Sequence, residues 1–206
     1  LGEQPIVLRY LIDNLPKWMV NECNDKGESP LHWACRAGYI ANVELLIAAN
    51  ASFALDHQGN SALHFAVEAG NIEAVNYLLD LKLADINGQN KSGKTPLYIA
   101  CEEHELQLIA ILIKHGAYTT DLIRYYISTN ELQIVKRLTK GNRKIYVDKD
   151  SKQNPLHLAV ALNNYKMAKV LLKVNKNWRE EIDINGNTPR SLLQPASDKR
   201  LVALLK

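Results

Sequence analysis

The sequence predicts an all-α solenoid, in which similar helix-turn-helix units stack in a row. A ten-residue phrase carries the prediction: it reads SPLHWACRAG at 29–38, SALHFAVEAG at 61–70, TPLYIACEEH at 95–104, NPLHLAVALN at 154–163 and TPRSLLQPAS at 188–197. After each phrase comes a second apolar block whose residues recur at i, i+3 and i+4, the spacing of a helix buried along one stripe. A recurrence near 33 residues with two helical segments is typical of repeat architectures.

The first segment, PIVLRYLIDN, reads as the second helix of a repeat whose first helix is missing. We assign residues 5–20 to this N-terminal half-repeat. Because each repeat buries its apolar face only against a neighbour, we expect the chain to be a fragment of a larger protein.

Three complete repeats follow, at residues 24–55, 56–89 and 90–120. Their turns read NDKGES, DHQGNS and NKSGKT, and the glycine in each supplies the positive φ of a tight turn. Each turn ends in serine or threonine, the residues that cap a helix N-terminus well. Proline follows at the first helical position in two of the three, where it is tolerated best.

The fourth repeat, residues 121–148, departs from the pattern because about seven residues of its turn are missing. Its phrase reads DLIRYYISTN, which contains Tyr125 and Tyr126, and Tyr118 precedes it. An aromatic cluster is therefore expected beside the gap. Two interpretations stay open: a recognition pocket, or large side chains that fill the space of the lost turn.

The last two repeats are assigned to residues 149–182 and 183–206. The fifth has Lys152 at the place of the turn glycine, and its DKDSKQ stretch lacks the glycine and distal glutamate of a calcium loop. No metal is expected there. The final repeat, with RLVALLK as its second helix, is expected to cap the stack with a polar outer face.

The repeated pattern resembles the ankyrin repeat, whose T-P-L-H phrase is matched at 29–32, 61–64 and 95–98. The resemblance implies β-hairpin fingers along one edge and shorter inner helices that line a concave groove. It also implies that three histidines hydrogen-bond their own turns and serve the scaffold. They are His32, His64 and His157.

Cys35 and Cys101 occupy small-residue positions of inner helices, where cysteine acts as a compact apolar filler. With Cys23 they make an odd, widely spaced set without a CxxC pair, which favours a reducing compartment. We therefore expect a cytoplasmic protein, or one in the host cytosol if it is a secreted effector. Trp33 is expected to pack between neighbouring repeats as part of the core.

Three catalytic patterns, GxGxxG, HExxH and GxSxG, do not occur in the sequence. We expect no enzyme activity from this chain and no cofactor. No stretch approaches the length of apolar residues that a membrane span needs.

The resemblance implies that the finger tips and the ends of the inner helices bind a partner. The residues at these positions are Asp25, Lys26, Glu28, Arg36, His57, Gln58, Asn60, Glu68, Lys91, Lys94, Glu102 and Glu103, and Tyr125 joins them from the aromatic cluster. Glu68, Glu102 and Glu103 are expected to form an acidic groove floor flanked by Lys91, Lys94 and Arg36. Such a groove suits a basic or mixed-charge protein or peptide, bound by a monomer.

The charge of +3 is unevenly distributed. Residues 1–120 contain 8 basic and 14 acidic side chains, whereas residues 121–206 contain 17 basic and 8 acidic ones. Five lysines at equivalent places one repeat apart are expected to form a basic ridge on the convex back: Lys136, Lys140, Lys166, Lys169 and Lys173. A solvated helix face is the default interpretation of this ridge, and docking to an anionic membrane or nucleic acid is not favoured because it would be weak.

Two functions remain after these exclusions. The first is a protein–protein interaction module that holds a partner in the groove and at the finger tips. The second is the targeting arm of a larger multidomain enzyme or secreted bacterial effector, whose catalytic domain lies outside this chain. The fold alone does not decide between them.

Overall fold

The computed structural model describes residues 5–14, 16–140 and 150–206. The α-helices among them are α1 (Ile6–Asn14), α2 (Pro30–Ala37), α3 (Ile40–Ala48), α4 (Ala62–Glu68), α5 (Ile72–Asp80), α6 (Pro96–Glu102), α7 (Leu106–Lys114), α8 (Thr120–Ser128), α9 (Leu132–Thr139), α10 (Pro155–Ala161), α11 (Tyr165–Val174) and α12 (Lys199–Leu204). Short 3₁₀ helices lie at Lys17–Asn21, Lys176–Arg179 and Pro189–Leu192. These described residues contain no strand, so the predicted all-α class is confirmed.

The chain divides into two compact units, Leu1–Tyr118 and Thr119–Lys206. We call them the first and the second unit. The first contains α1–α7 and the second α8–α12. The assignment of one domain with the repeat boundaries given above stays a prediction, and the boundary between residues 148 and 149 lies outside the described residues.

Local chemistry explains where the inner helices begin. The Ser61 hydroxyl accepts a hydrogen bond from the backbone N–H of His64, and Thr95 does the same for Tyr98. The Asn154 side chain accepts from two backbone N–H groups at the start of α10. Each cap satisfies donors that the first helical turn leaves unpaired. The predicted helix starts therefore follow from the residue that ends each turn.

Inner helices pack on inner helices: α2 contacts α4, and α4 contacts α6. Each contributes a leucine or isoleucine at an equivalent position that is at most 1% exposed, and α8 and α10 of the second unit do the same. The set is Leu31, Leu63, Leu97, Ile123 and Leu156. The outer helices bury Val43, Val75, Ile109, Val135 and Ala168. The inner and outer helices of the repeats from α2 to α11 therefore bury a stripe against their neighbours, as the i, i+3, i+4 spacing predicts.

The fingers are tight hairpin turns without assigned strands in the described chain. In the second finger, the Asp56 N–H donates to the carbonyl of Asn60 at 2.9 Å, and the Gly59 N–H donates back to Asp56. The third finger closes in the same way, from Asn90 to Lys94 at 3.0 Å. A loop this short closes with one or two backbone hydrogen bonds and leaves no length for a ladder.

Both ends of the described chain differ from the middle. Helix α1 contacts α3, as expected for an outer helix, but none of its residues is buried. The final repeat begins with the 3₁₀ turn Pro189–Leu192 in place of an α-helix. Pro195 follows shortly after, and proline drives the residue before it away from helical φ and ψ. The predicted pair of α-helices is therefore wrong for this repeat, which has α12 alone.

Candidate functional site

The first residue of each finger in the first unit holds the turn closed. The Asp56 carboxylate accepts backbone hydrogen bonds from Gln58 and Asn60 at 2.8 and 2.7 Å. The amide oxygens of Asn24 and Asn90 accept from the residues two and four places later, all at 3.0 Å. Such side-chain turns fix the finger tips through their own backbone.

Neighbouring fingers are also linked to each other. The His57 N–H donates to the carbonyl of Lys26, and the Lys91 N–H donates to the carbonyl of Gln58, both at 2.8 Å. These four residues are predicted binding residues, and their side chains are exposed. Their backbones stabilise the row of fingers, which leaves the side chains free for a partner.

Buried histidines tie each inner helix to the next finger. Nδ1 of His32 accepts from the Ser29 N–H at 3.0 Å, which leaves the ring proton on Nε2 to donate to the carbonyl of Asn60 at 3.2 Å. His64 repeats the arrangement with Lys94, as does His157 with Asn187 in the second unit. Burial lowers the pKa of His32 and His64, which favours their neutral form. The predicted scaffold role of these histidines is confirmed.

A groove in the first unit lies between α4, α6 and the second and third fingers, with a volume of about 280 Å³. Phe65 and Ile99 form its apolar part, and three carboxylates stand around it. Its lining residues are Gln58, Asn60, His64, Phe65, Glu68, Asn90, Ser92, Lys94, Ile99, Glu102 and Glu103. The structure thus brings six of the predicted binding residues together in one place.

The carboxylates of this groove are partly neutralised. Lys94 Nζ donates to Glu102 Oε2 at 2.7 Å, and this hydrogen bond raises the pKa of Lys94. Arg36 Nη1 lies 3.8 Å from Glu68 Oε2. The four side chains of these pairs are 36–54% exposed, so water screens them. The expected acidic floor is therefore better described as a set of alternating charges, to which Glu103 adds one carboxylate outside these two pairs.

Trp33 is half exposed, so its predicted place in the core is wrong. Leu31, Ala34 and Cys35 form the inward stripe of α2, and Trp33 projects from a different side of the helix. The Arg36 guanidinium lies 5.7 Å from the centre of the Trp33 ring. The helical phase of α2 was the sequence signal that could have identified this exposed aromatic residue.

The remaining predicted residues of the first unit lie outside the groove. Asp25, Lys26, His57 and Lys91 lie exposed on the finger tips. Glu28 is half-buried and accepts a hydrogen bond from the Asn24 amide at 2.7 Å, so it stabilises its own finger.

The tyrosines of the fourth repeat have different environments. Tyr125 and Tyr126 contact each other edge to face, with ring centres 5.0 Å apart. Tyr126 is buried, whereas Tyr125 is 49% exposed on α8. Tyr118, the last residue of the first unit, is exposed. Tyr126 therefore fills space, and Tyr125 stays a candidate for contact with a partner.

The five lysines of the basic ridge are exposed on the outer helices of the second unit. Lys136 lies in α9 and Lys140 caps its C-terminal end. Lys166, Lys169 and Lys173 all lie in α11, which packs on α9. Lys136 and Lys140 are equivalent in the repeat to Lys169 and Lys173, whereas the equivalent of Lys166 is Gln133. The ridge as a functional surface stays a prediction.

The chemistry of the described residues agrees with a scaffold. Cys35 and Cys101 are buried, as predicted, and burial raises the pKa of each thiol to about 12. Across residues 5–14, 16–140 and 150–206, no three His, Cys, Asp or Glu side chains gather as a metal site would need. Every helix of the described chain is too short or too polar to cross a bilayer.

Comparison with protein families decides what the repeats are. Family models match three stretches: ankyrin repeats in three copies at 48–123, ankyrin repeats in many copies at 6–47, and a single ankyrin repeat at 151–181. The chain belongs to the ankyrin repeat family. The ankyrin repeat fold is a non-catalytic interaction module, and ankyrin repeats generally bind protein partners.

Relatives of this ankyrin repeat protein are much longer than the chain. Transient receptor potential cation channel subfamily A member 1 of Homo sapiens is 28% identical over 75% of this chain and 15% of its own length. The putative palmitoyltransferase ZDHHC13 of Danio rerio is 30% identical over 88% of this chain and 24% of its own length. The chain thus spans less than a quarter of these two proteins.

A solved structure supports the fold. The crystal structure of the ankyrin repeat domain of Bcl-3 matches with a TM-score of 0.77 at 23% identity, over 99% of this chain and 93% of that chain. The likeness at this identity concerns the fold alone.

Proposed function

We propose that this ankyrin repeat protein binds a segment of a partner protein in the groove of its first unit. The supporting observation is that charged side chains of two successive repeats converge on an apolar patch. Glu68 and Glu102 come from α4 and α6 and line the groove together with Phe65 and Ile99. Charged and apolar groups held together in this way suit a polypeptide segment better than a purely apolar ligand.

The alternating charges favour a mixed-charge partner over a uniformly basic one. A partner lysine or arginine has Glu103 available without breaking an existing ion pair, while Arg36 and Lys94 can donate hydrogen bonds to a partner carboxylate. Trp33 adds an exposed aromatic surface next to Arg36. Tryptophan and arginine dominate binding energy at interfaces more often than other residues do. We therefore expect much of the affinity to come from Glu68 in the groove and from Arg36 and Trp33, which lie next to it.

The mechanism is rigid presentation. The side-chain turns of Asn24, Asp56 and Asn90 and the histidine links of His32 and His64 fix the fingers before a partner arrives. Little conformational entropy is then lost on binding. Hence the same contacts yield a higher affinity than they would on mobile loops.

The test is a charge reversal with a matched control. The groove variant carries Glu68→Lys and Glu103→Lys, and the control carries Glu44→Lys and Glu73→Lys on the exposed side of α3 and α5. Both change the charge equally. We expect the groove variant to lose the natural partner, measured by quantitative pull-down from the source cells, and the control to retain it. Equal retention by both variants would disprove binding in the groove.

A second candidate function is supported by the length of the relatives. A chain that spans less than a quarter of two longer proteins suits a targeting arm, in a larger enzyme or a secreted bacterial effector. The complete coding sequence identifies any catalytic domain. In that case, the groove variant in the full-length protein should lower turnover of the natural partner but leave turnover of a small generic substrate unchanged.

We also propose that the chain works as a monomer in a reducing compartment such as the cytoplasm. Its three cysteines are free, and two of them are buried. Light scattering with and without reductant tests this: one chain per particle is expected under both conditions. A dimer that reductant dissolves would point to oxidation at the exposed Cys23.

A further inference from the structure

The basic ridge has features that an ordinary solvated helix face does not need. Lys136 and Lys140 are four residues apart, and so are Lys169 and Lys173. Like charges at this spacing repel each other and weaken a helix. Within the described part of the chain none of these lysines forms an ion pair. Among residues 5–14, 16–140 and 150–206, the charge of these lysines is therefore not compensated by ion pairs.

The repeat pattern does not require lysine at these positions. In the first three repeats, the positions equivalent to Lys136 are held by Glu44, Asn76 and Ala110. Those equivalent to Lys140 are Ala48, Asp80 and Lys114. By contrast, the fourth and fifth repeats have lysine at both positions. The lysine pairs therefore need an explanation that applies to the second unit and not to the first.

The ridge has a regular geometry. Lys136 and Lys169 lie 33 residues apart in sequence at equivalent places of α9 and α11, as do Lys140 and Lys173. Residues four apart on a helix are about 6 Å from each other, and packed helices lie about 8–10 Å apart. Four exposed lysines thus lie on two neighbouring helices, Lys136 and Lys140 on α9 and at its C-terminal end and Lys169 and Lys173 on α11.

The start of α11 extends the ridge towards α12. The centre of the Tyr165 ring lies 5.8 Å from Lys169 Nζ and 5.0 Å from Arg200 Cζ. Arg200 Nη2 donates a hydrogen bond to Asp198 Oδ2 at 2.7 Å, which fixes the guanidinium. A polar groove of about 450 Å³ opens here, and Lys166 lies on its wall. Asn130, Asn163 and Asn164 also line this groove, so it offers amide groups to further polar groups of a ligand.

We propose that the basic ridge docks an acidic segment of a partner polypeptide, in which carboxylates on successive helical turns face the lysine pairs. A helix that lies along α9 and α11 would place its acidic side chains near Lys136 and Lys140 on one helix and near Lys169 and Lys173 on the other. This surface is separate from the groove of the first unit and can bind whether or not that groove does.

Charge and exposure favour a polypeptide over other anionic partners. The exposed large apolar residues of the described second unit are Tyr125, Leu162, Ile182 and Ile184, and they lie outside α9, α11 and α12. The ridge thus lacks side chains that would enter a bilayer. Lysine ammonium groups act as point charges without the planar fork with which arginine grips phosphate. Carboxylates spaced along a helix match four such point charges.

The experiment uses the full 206-residue chain and a labelled peptide of about five helical turns, with glutamate at every fourth residue and alanine between. A peptide with glutamine at the same places controls for charge. The ridge variant carries Lys136→Gln, Lys140→Gln, Lys169→Gln and Lys173→Gln. A control variant with the same loss of charge carries Lys82→Gln, Lys114→Gln, Lys152→Gln and Lys176→Gln, all exposed elsewhere. Circular dichroism verifies that both variants fold.

At about 0.1 M salt we expect the ridge variant to bind the acidic peptide about tenfold more weakly than the unchanged chain, and the control variant to differ by less than about twofold. Equal weakening in both variants would overturn the ridge as the site. If the unchanged chain binds the acidic peptide no more tightly than the glutamine peptide, the proposed recognition of carboxylates is overturned. Tighter binding to duplex DNA or to phosphatidylserine vesicles than to the peptide would overturn the proposed kind of partner.

Discussion

His32 and His64 each use both ring nitrogens, and this makes them sensitive to pH. One nitrogen accepts a backbone N–H of its own turn, and the other donates to a carbonyl of the next finger. Protonation of the first nitrogen removes an acceptor in a buried place. Burial lowers the pKa of both histidines, because the charged ring is less stable in the folded protein. The stability of the first unit therefore depends on whether these rings are protonated.

We expect the free energy of unfolding to fall as the pH drops from 7.5 to 5. Because the folded-state pKa of both histidines is lowered, the unfolded chain binds more protons than the folded chain as the pH falls below about 6.5. The stability is therefore complete above that pH and is lost progressively below it. Urea titration at several pH values measures it. The double variant His32→Gln, His64→Gln should lose most of the dependence, while the exposed His57→Gln variant should keep it. An unchanged slope in the double variant would contradict this role.

Single residues also show what sequence reasoning could reach. The positions of Arg36, Glu68 and Glu102 follow from the repeat, because equivalent residues of stacked repeats lie side by side. The ion pairs among them depend on side-chain directions and distances, which a pattern of residue types does not contain. The expected burial of Trp33 is wrong because the ankyrin pattern has an apolar residue at this position, whereas the phase of α2 turns it away from the buried stripe.

At the scale of elements, the fingers depend on close backbone approach. An added Cβ at Gly59 would lie 3.0 Å from the backbone nitrogen of Lys91, whose N–H links the two fingers. Gly93 sits at the equivalent place of the next finger with a similar φ, +72° against +78°, but its Cβ would meet nothing within 4 Å. These two glycines share a backbone strain and differ in the neighbour they face.

The comparison predicts a difference between two variants. Gly59→Ala and Gly93→Ala should each lose about 1–2 kcal/mol of the free energy of unfolding, because alanine resists positive φ. Gly59→Ala should lose about 1 kcal/mol more, since the next finger must move and its hydrogen bond weakens. Urea denaturation followed by circular dichroism measures both. Equal losses would mean that contact between the fingers adds little stability.

The elements were predictable to different degrees. Turn glycines, capping residues and apolar stripes are local signals, so the inner and outer helices of the complete repeats follow from them. Strands were expected in the fingers, but hairpins closed by one or two hydrogen bonds are too short for a ladder. In the final repeat, Pro195 follows Pro189 so closely that only the 3₁₀ turn Pro189–Leu192 forms between them. The repeat pattern predicts a helix there, but proline geometry prevents it.

At the scale of the molecule, the sequence divides close to where the structure does. The basic half begins near residue 121, and the second compact unit begins at Thr119. The repeat period predicted the ankyrin fold because each repeat is recognisable by itself. The boundary between units depends on how much surface neighbouring helices share, which no local signal records. Two surfaces of different charge, the groove and the basic ridge, follow from this arrangement.

The most direct test of the central claim is hydrogen exchange, measured by mass spectrometry on the chain alone and with its captured natural partner. The claim is that the groove of the first unit holds a segment of that partner. We predict slower exchange in the complex at residues 58–68 and 90–103, which carry the groove. Unchanged exchange in both stretches, with protection confined to other parts of the chain, would contradict the account.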